Sequence, residues 1–335
     1  MKKSIAEERS GKKIVVICGS GSIAKRHSEV VREVVPEALI CGLCPSNPNF
    51  YKSCDVILND WSDLGGASIY LLIIANMPDQ RLEVYKKLSR IAPEYILVEK
   101  PIVDASMDLS TVRDWLLTTS APITIGYNLR HTPAYQFFAD TIGSGILGSI
   151  STAFFYCGSN IDSWRTGDRF DENVASKSLG VDFELSHELA GIIDLFGAPR
   201  VDFCDLRSTG FCGAGVFDSL QGCVSIRAEE LNLSVLLSLD FFSIHKRRLW
   251  VVNGENGSIE WNLLAGRVEL ALKVSNKMEQ RVFLDDSGLS RSYSVQLKSL
   301  LQSERSNQRE IKLGCEAIDL ALQFRNWVGA SASKF

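Results

Sequence analysis

Two ionisable side chains in this 335-residue sequence stand where each could exchange a proton with a bound molecule. The first is Lys100, which lies between Glu99 and Pro101 and directly follows the apolar run Tyr95–Val98. A run of that kind is typical of a buried strand. A lysine at the carboxyl end of such a strand, next to a carboxylate and fixed by a proline, is placed to meet a bound ligand.

The second such side chain is His187, in a segment from Glu184 to Phe196 whose apolar residues repeat at helical spacing. On this predicted helix Glu184, His187 and Gly191 fall at i, i+3 and i+7, so an acid and an imidazole share a face beside a small residue. An imidazole titrates near neutral pH and therefore suits general acid–base work. A single helical histidine is more often structural, so the pairing with Lys100 is what favours catalysis.

A third pattern predicts a phosphate-binding turn. The run Gly19-x-Gly21-x-x-Ala24 follows a short apolar stretch and precedes an amphipathic helix predicted from Ile23 to Val34. Gly19 allows a tight bend, Gly21 lets the backbone approach a pyrophosphate, and Ala24 lets helix and strand pack closely. The N–H groups at the helix start belong to Ser22 and Ile23. An ordinary tight turn could carry the same glycines, but the flanking strand and helix favour a dinucleotide site.

The elements that must position these residues follow a regular alternation in the first part of the chain. Strand-like runs alternate with helical patterns such as Asp79–Ile91, and further strands are predicted over Ile14–Cys18, Ala38–Cys44, Ser68–Ala75 and Ile123–Gly126. This alternation predicts an α/β domain with a doubly wound parallel sheet over residues 1–126, of which 1–12 form a loose tail. Ligands then bind beyond the carboxyl ends of the strands.

Residues 127–335 have a different pattern. Strand-like runs follow one another at turns such as Asn253-Gly254, and they are predicted over Phe154–Gly158, Val201–Leu206, Gly222–Ala228, Leu231–Phe242, Arg248–Val252, Gly257–Trp261 and Arg267–Val274. The chain closes with two helical patterns, Ser290–Leu301 and Gly314–Ala330. We therefore predict a second α/β domain built on a large, mostly antiparallel sheet.

The end of the second predicted strand bears on the choice of dinucleotide. A site selective for NAD usually has an acid here for the ribose 2′-hydroxyl, whereas this chain has Cys44-Pro45-Ser46-Asn47 and no acid before Asp55. There is also no arginine for a 2′-phosphate, although Ser46 could donate a hydrogen bond. The sequence leaves NAD and NADP open and leans towards acceptance of either.

Composition excludes several classes of protein. With 45% apolar residues, 23% charged residues and a net charge of -4, the chain has the make-up of a soluble globular protein and no basic patch for nucleic acid. No apolar run reaches the ~20 residues that span a membrane, and Glu7, Glu8 and Arg9 interrupt the place of a signal sequence. The nine cysteines, an odd number, lie mostly inside apolar segments such as those of Cys18, Cys204 and Cys223, without a matching cluster of histidines. We expect reduced core thiols, a cytoplasmic protein and no metal.

In order and spacing these motifs resemble the glucose-fructose oxidoreductase and inositol dehydrogenase family (Gfo/Idh/MocA) over essentially the whole chain. The resemblance is carried by Gly19-x-Gly21-x-x-Ala24, Ile74–Pro78, Glu99–Pro101, Gly126–Pro133 and Ser186–Leu189. The stretch Asn160–His187 further resembles members from bacterial surface-sugar and nonulosonic-acid pathways.

The resemblance implies a Rossmann domain, then a substrate-binding domain whose open sheet forms a homodimer or homotetramer. It also implies hydride transfer between NAD or NADP and a carbon of a sugar or nucleotide sugar. The catalytic residues would be Lys100, His187 and Glu184. Besides the glycine turn, the cofactor would contact Ser46, Asn76, Pro78, Glu99 and Lys100. The substrate would contact Tyr127, Arg130, Trp164, Arg165 and His187.

The chain departs from the family pattern at three places. Phe183 occupies the position of the acid four residues before the histidine, and Glu184 takes that role here because it shares the predicted face of His187, unlike Asp182. A single Gly180 replaces three glycines, and the usual histidine after the turn at Pro78 is replaced around Gln80-Arg81. These departures leave open a non-catalytic regulatory protein that binds NAD(P) or a sugar, and also an aldose–aldose or imine reductase.

Overall fold

The structure, a computed structural model, describes residues 11–43, 50, 52–163, 180–213, 215–228, 231–274, 277–284, 291–304 and 308–332. The chain forms two units: Met1–Asn128 with Ser290–Cys315, and Leu129–Leu289 with Glu316–Phe335. The domain boundary predicted at residue 126 assigns Ser290–Cys315 to the second domain. In the structure this segment belongs to the first unit.

The first unit is built on a six-stranded parallel sheet. Its strands are β1 (Lys13–Cys18), β2 (Ala38–Leu43), β3 (Val56–Leu58), β4 (Leu71–Ile74), β5 (Tyr95–Val98) and β6 (Ile123–Ile125). They lie in the order β3-β2-β1-β4-β5-β6, and every pair is parallel. The predicted doubly wound sheet is confirmed. The order reverses between β1 and β4, and ligands bind beyond the carboxyl ends of strands at such a reversal.

Helices cover this sheet, and one of them differs from its prediction. The helices are α1 (Ser22–Val34), α2 (Leu82–Tyr85), α3 (Leu88–Ile91), α4 (Leu109–Leu117) and α8 (Arg291–Leu301). The prediction of a single helix over Asp79–Ile91 was wrong. A 3₁₀ turn at Pro78–Gln80 precedes α2, and the N–H of Lys87 bonds to the Val84 carbonyl three residues back. Such bonding tightens the backbone and separates α2 from α3.

The placement of α8 follows from its apolar stripe. Leu297 and Leu300 are almost fully buried and join the core cluster that contains Val30 and Val31 of α1. The sequence shows that α8 needs an apolar partner, but not which of the two cores supplies it. Further along the chain, α9 (Gln308–Ala332) contributes residues up to Cys315 to the first unit and the remainder to the second.

The second unit is built on an eight-stranded sheet. Its strands are β7 (Ile150–Gly158), β8 (Arg200–Arg207), β9 (Ser219–Ala228), β10 (Leu231–Asp240), β11 (Arg247–Gly254), β12 (Gly257–Asn262), β13 (Arg267–Val274) and β14 (Lys277–Leu284). The order is β14-β13-β12-β11-β7-β10-β9-β8. Among the described strands of this sheet, only β7 and β10 pair in parallel, so the mostly antiparallel sheet is confirmed. Strand β14 was not predicted, because its first five residues contain a single apolar side chain, Met278, which lies exposed.

One face of this sheet is covered by helices. These are α5 (Pro133–Gly143), α6 (Val181–Glu184), α7 (His187–Phe196) and the second part of α9. Between α5 and the sheet lie Phe138, Trp250 and Trp261, all buried, with their ring centroids 5.1 to 6.2 Å apart. Aromatic packing of this kind gives α5 and α7 a rigid base.

Candidate cofactor and active site

The glycine turn after β1 has the features of a phosphate-binding turn. Gly19 has φ +107°, and a Cβ there would lie 2.6 Å from the Asn76 nitrogen, so the position requires glycine. Around Gly21 a Cβ would meet no atom within 4 Å. The open space beside Gly21 is therefore available to a ligand.

The start of α1 complements this open space. Gly21 is the N-cap residue, no side chain caps the helix, and the first turn contains no acidic residue. The N–H groups of Ser22 and Ile23 lie at this positive end of the helix dipole, where anions bind. Ala24 is fully buried, which gives the close packing of helix on strand that its small size predicts.

The turn after β4 lies directly beside Gly19. Its Asn76 is half-buried, and the Oδ1 atom is shielded from solvent with no hydrogen-bond partner in the described residues. A buried carbonyl oxygen of this kind costs free energy unless a donor reaches it. Pro78 is buried and begins the 3₁₀ turn. Asn76 can therefore accept a hydrogen bond from an amide group of a ligand at this turn.

Glu99 and Lys100 follow β5, the strand next to β4, but the two side chains differ in accessibility. Glu99 is only 5% exposed, and its Oε1 lies 2.8 Å from Nε2 of His27 on α1. The Lys100 N–H donates to Glu99 Oε2 at 3.2 Å, and a Cβ on Gly126 would lie 2.6 Å from that oxygen. Lys100 itself is half-buried. The carboxylate, predicted to contact the cofactor, thus bonds within the protein and supports the Lys100 backbone.

A buried arginine, Arg81, connects these two turns. Its Nε donates to the Asn76 carbonyl at 2.9 Å, and its Nη1 donates to the carbonyls of Glu99 and Pro101. Burial lowers the pKa of Arg81, while the nearby Tyr85 and Glu99 oppose that effect.

After β6 come two of the residues predicted to contact substrate. Tyr127 is fully buried, and the side chain of its neighbour Asn128 donates to Ser292 of the first unit at 2.6 Å. In the second unit, Arg130 donates twice to Asp194 of α7, at 2.9 and 3.0 Å, and the hydroxyl of Tyr135 also donates to Asp194. The positive charge predicted to line a substrate pocket is therefore balanced by a carboxylate of its own unit.

The helix predicted over Glu184–Phe196 is interrupted, and that prediction was wrong. Glu184 ends α6, and His187 begins α7 after a break at Leu185 and Ser186. On either side of the break a buried acid is fixed by a different arginine: Asp182 by Arg325 at 2.6 Å and Glu188 by Arg248 at 2.6 Å. The i, i+3 spacing therefore does not place Glu184 and His187 on one face of a continuous helix.

The first turn of α7 is held by contacts that the sequence did not reveal. Glu188 is fully buried, accepts two hydrogen bonds from Arg248 at 2.6 and 2.8 Å, and accepts a third from the indole of Trp250 at 3.1 Å. Gly191, one turn later, faces the Trp250 ring so closely that a Cβ would lie 2.3 Å from it. These contacts fix the helix on which His187 is the first residue.

Two of the missed residues did have a signal in the sequence. His27 falls on the buried face of α1, three residues after Ala24 and four before Val31, and a polar residue in an apolar stripe needs a buried partner. Arg81 lies where the chain departs from the family pattern, since the histidine that usually follows the turn is replaced around Gln80-Arg81. Glu188 had no such signal, because it falls on the face of the predicted helix that carried the polar residues.

Three predicted contacts, Ser46, Trp164 and Arg165, lie outside the described residues. In the described part of the chain, no three His, Cys, Asp or Glu side chains are grouped so that they could hold a metal ion. The same residues include no helix that is long and apolar enough to cross a membrane.

Comparison with known proteins establishes the fold. The sequence matches no protein-family model, and it matches no curated protein. Levoglucosan dehydrogenase in complex with NADH and L-sorbose superposes with a TM-score of 0.79 at 14% identity, covering 95% of this chain and 97% of that chain. For an NAD-binding oxidoreductase from Klebsiella pneumoniae the TM-score is 0.82 at 11% identity, with 96% and 98% covered.

A third solved structure is an inositol dehydrogenase homolog from Azotobacter vinelandii, complexed with NADH and myo-inositol. Its TM-score is 0.73 at 13% identity, and the match covers 95% of this chain and 96% of that chain. At these identities the likeness shows a shared fold that extends over nearly the whole chain.

Proposed function

We propose that this chain is an NAD(P)-dependent oxidoreductase of the Gfo/Idh/MocA type that transfers hydride between a nicotinamide and a carbon of a sugar, cyclitol or nucleotide sugar. One observation carries the proposal: three features lie at the carboxyl ends of the adjacent strands β1, β4 and β5. These are the glycine turn, Asn76 and Lys100. In a doubly wound sheet this edge, at the reversal of strand order, is where dinucleotides bind.

The first unit fits a dinucleotide on its own geometry. The open space at Gly21 and the uncapped start of α1 suit a pyrophosphate, and Oδ1 of Asn76 suits the carboxamide of a nicotinamide. When bound, NAD or NADP supplies the hydride donor or acceptor. The choice between the two depends on the region of Ser46, so we propose that both are accepted.

Lys100 and His187 are the proposed proton-handling groups, whereas the helix break removes the shared face on which a role for Glu184 depended. Both would handle the proton of the substrate hydroxyl, which leaves as the carbon is oxidised and returns in reduction. The buried Glu99 and the His27 that it contacts keep Lys100 at the end of β5. For the substrate we propose contacts with Tyr127, Trp164 and Arg165, and with Arg130 as oriented by Asp194.

The ligands of the similar structures support the substrate class. Those proteins are complexed with NADH together with L-sorbose, levoglucosan or myo-inositol, which are all polyhydroxylated carbon skeletons. None of the eight described cysteines forms a disulfide, and seven of them are buried, which supports a reducing, cytoplasmic location.

A substrate panel with matched variants tests the proposal. Aldoses, cyclitols and nucleotide sugars are incubated with NAD⁺ or NADP⁺, and reduced nicotinamide is followed by absorbance. On the substrate found, Lys100→Met and His187→Ala should each lose about 10²–10⁴-fold in kcat, because general acid–base assistance is worth that much. Affinity for NAD(P)H should persist.

Lys87→Met and His245→Ala are the controls, since both residues are exposed and lie outside the proposed site. If Lys100→Met or His187→Ala keeps turnover within a few-fold of wild type, that residue is structural. If the protein binds NAD(P)H and sugars but converts none of them, it is a non-catalytic regulatory protein and the proposal of an enzyme is wrong.

We also propose that the second sheet mediates self-association. Leu236 and Val282, 54% and 50% exposed, lie on the same sheet face as Phe154 and Val251, as the strand pairing requires. Exposed apolar surface of this kind marks interaction sites. Light scattering should give a dimer or tetramer for wild type and a smaller species for Leu236→Asp. A monomeric wild type would contradict this proposal.

A further inference from the structure

Arg81 is unusual for a charged residue, because it is only 3% exposed. Burying a guanidinium is costly unless its N–H groups are bonded and its charge is balanced. Both conditions are met here. Three backbone carbonyls accept hydrogen bonds from Arg81, and the negative Glu99 lies near enough to act on its charge.

Two of those carbonyls belong to the residues that flank Lys100. Glu99 and Pro101 are the residues immediately before and after Lys100, so one nitrogen, Nη1 of Arg81, bonds to the backbone on both sides of the lysine. The neighbouring Nε bonds to the Asn76 carbonyl at 2.9 Å. A single planar group thus connects the turn after β4 with the turn after β5.

A tyrosine one helical turn later extends the same contact. The hydroxyl of Tyr85 donates to the Ile102 carbonyl at 2.6 Å. Burial raises the pKa of Tyr85 to about 12, so the hydroxyl keeps its proton and remains a donor at neutral pH. Arg81 and Tyr85 together bond to the carbonyls of Glu99, Pro101 and Ile102.

We propose that Arg81 is a positioning residue that sets the location of Lys100 relative to Asn76. Its effect on catalysis rests on the proposed function, whereas its effect on the Lys100 side chain does not. The fixed, planar fork of an arginine can bond to several carbonyls at once, whereas the ammonium of a lysine is a compact point charge and cannot reproduce that geometry. Arg81→Lys therefore keeps the charge and removes the connection.

The first test measures Lys100 directly and needs no activity. Wild type, Arg81→Lys, Arg81→Ala and Tyr85→Phe are treated with a limiting amount of acetic anhydride, and acetylation of each lysine is quantified by mass spectrometry. Acetylation of Lys100 should become at least about threefold faster in the Arg81 variants, because hydrogen bonds that restrain its backbone are lost. The exposed Lys86 should keep its wild-type rate. Arg90→Lys, an exposed position nearby, is the control.

The second test measures catalysis on the substrate that the panel identifies. In Arg81→Lys, kcat should fall by about 10²-fold, because a displacement of the reacting group by about 1 Å costs that much. Affinity for NAD(P)H should change by less than about tenfold. Tyr85→Phe should lower kcat less than Arg81→Lys, since it removes one hydrogen bond and leaves the connection to Asn76. A merely structural role would lower Tm and leave the kcat of the folded fraction unchanged.

The outcomes separate this inference from the proposed function. If a folded Arg81→Lys variant shows wild-type acetylation of Lys100, the inference is wrong whether or not the protein is an enzyme. If acetylation changes but wild type neither binds nor uses NAD(P), the positioning of Lys100 stands and the proposed function fails. Where Arg81→Ala or Arg81→Lys does not fold, Tyr85→Phe takes its place, because it removes the hydrogen bond to the Ile102 carbonyl. Acetylation of Lys100 should then be faster in Tyr85→Phe than in wild type, and an unchanged rate would contradict the inference.

Discussion

Buried charges in this protein are placed next to the residues proposed to act. Glu99 lies beside Lys100 in the sequence and bonds to His27, and Glu188 lies beside His187 and bonds to Arg248. In both cases the buried acid is the immediate neighbour of a half-buried ionisable residue. Such pairs add little net stability, but breaking one leaves an uncompensated charge. Their benefit here is that the neighbouring backbone is fixed.

The Glu188–Arg248 pair offers a direct measurement of that cost. Glu188→Gln should lower the free energy of unfolding by about 3–5 kcal/mol, because the buried guanidinium of Arg248 loses its counter-charge. Urea titration of wild type and variant measures the loss. The matched control is Glu37→Gln, whose pair with Lys13 has a similar distance of 3.0 Å but exposed side chains.

Exposed pairs of this kind are worth about 0–1 kcal/mol, so the control should change stability little. Equal effects of the two variants would show that burial does not distinguish the pairs.

At the level of elements, α7 is defined by its contact with β11. The missing side chain of Gly191 admits the Trp250 ring, and the first turn is held to the same strand by Arg248 and Trp250. The break between α6 and α7 makes His187 the first residue of a helix instead of a residue in its middle. The orientation of His187 thus depends on how closely α7 approaches the sheet.

Two glycine substitutions of opposite expected sign test that approach. Gly191→Ala places a Cβ 2.3 Å from Trp250 and should destabilise by about 1–3 kcal/mol, as overpacked cores do. Gly143→Ala, at the exposed end of α5 with no atom within 4 Å of its Cβ, should stabilise by up to about 1 kcal/mol. Thermal unfolding gives both shifts. A stabilising Gly191→Ala would mean that α7 can move away from the strand without cost.

At the level of the whole molecule, the sequence predicts what depends on local pattern. Apolar runs and the turns between them indicate both sheets, and the glycine turn lies where the strand before it and the helix after it predict. Relations between distant residues were not predictable in this way. The stripe of α8 fits an apolar surface in either unit, and only the contact of Leu297 with the core around α1 decides the matter.

In the proposed site, too, features that depend on local pattern could be predicted and contacts between distant residues could not. Lys100 and Asn76 could be identified because they directly follow strands, whereas their connection through Arg81 joins residues about 20 positions apart and has no periodic signal. The prediction that Glu184 and His187 share a face failed for a related reason. Helical spacing assumes an unbroken helix, whereas the buried acids on either side of the break pair with the distant residues Arg325 and Arg248.

Calorimetric titration of NADH and NADPH into wild type, Gly21→Val and the control Gly143→Val tests the proposed dinucleotide site most directly. Wild type and control should bind at least one of the two, and Gly21→Val should weaken that binding by about a hundredfold or more, equivalent to about 2.7 kcal/mol. The valine would fill the open space beside α1, where a Cβ meets no protein atom, so the variant should keep its Tm. If wild type bound neither dinucleotide, or Gly21→Val bound with unchanged affinity, the assignment of the turn as a dinucleotide site would be contradicted.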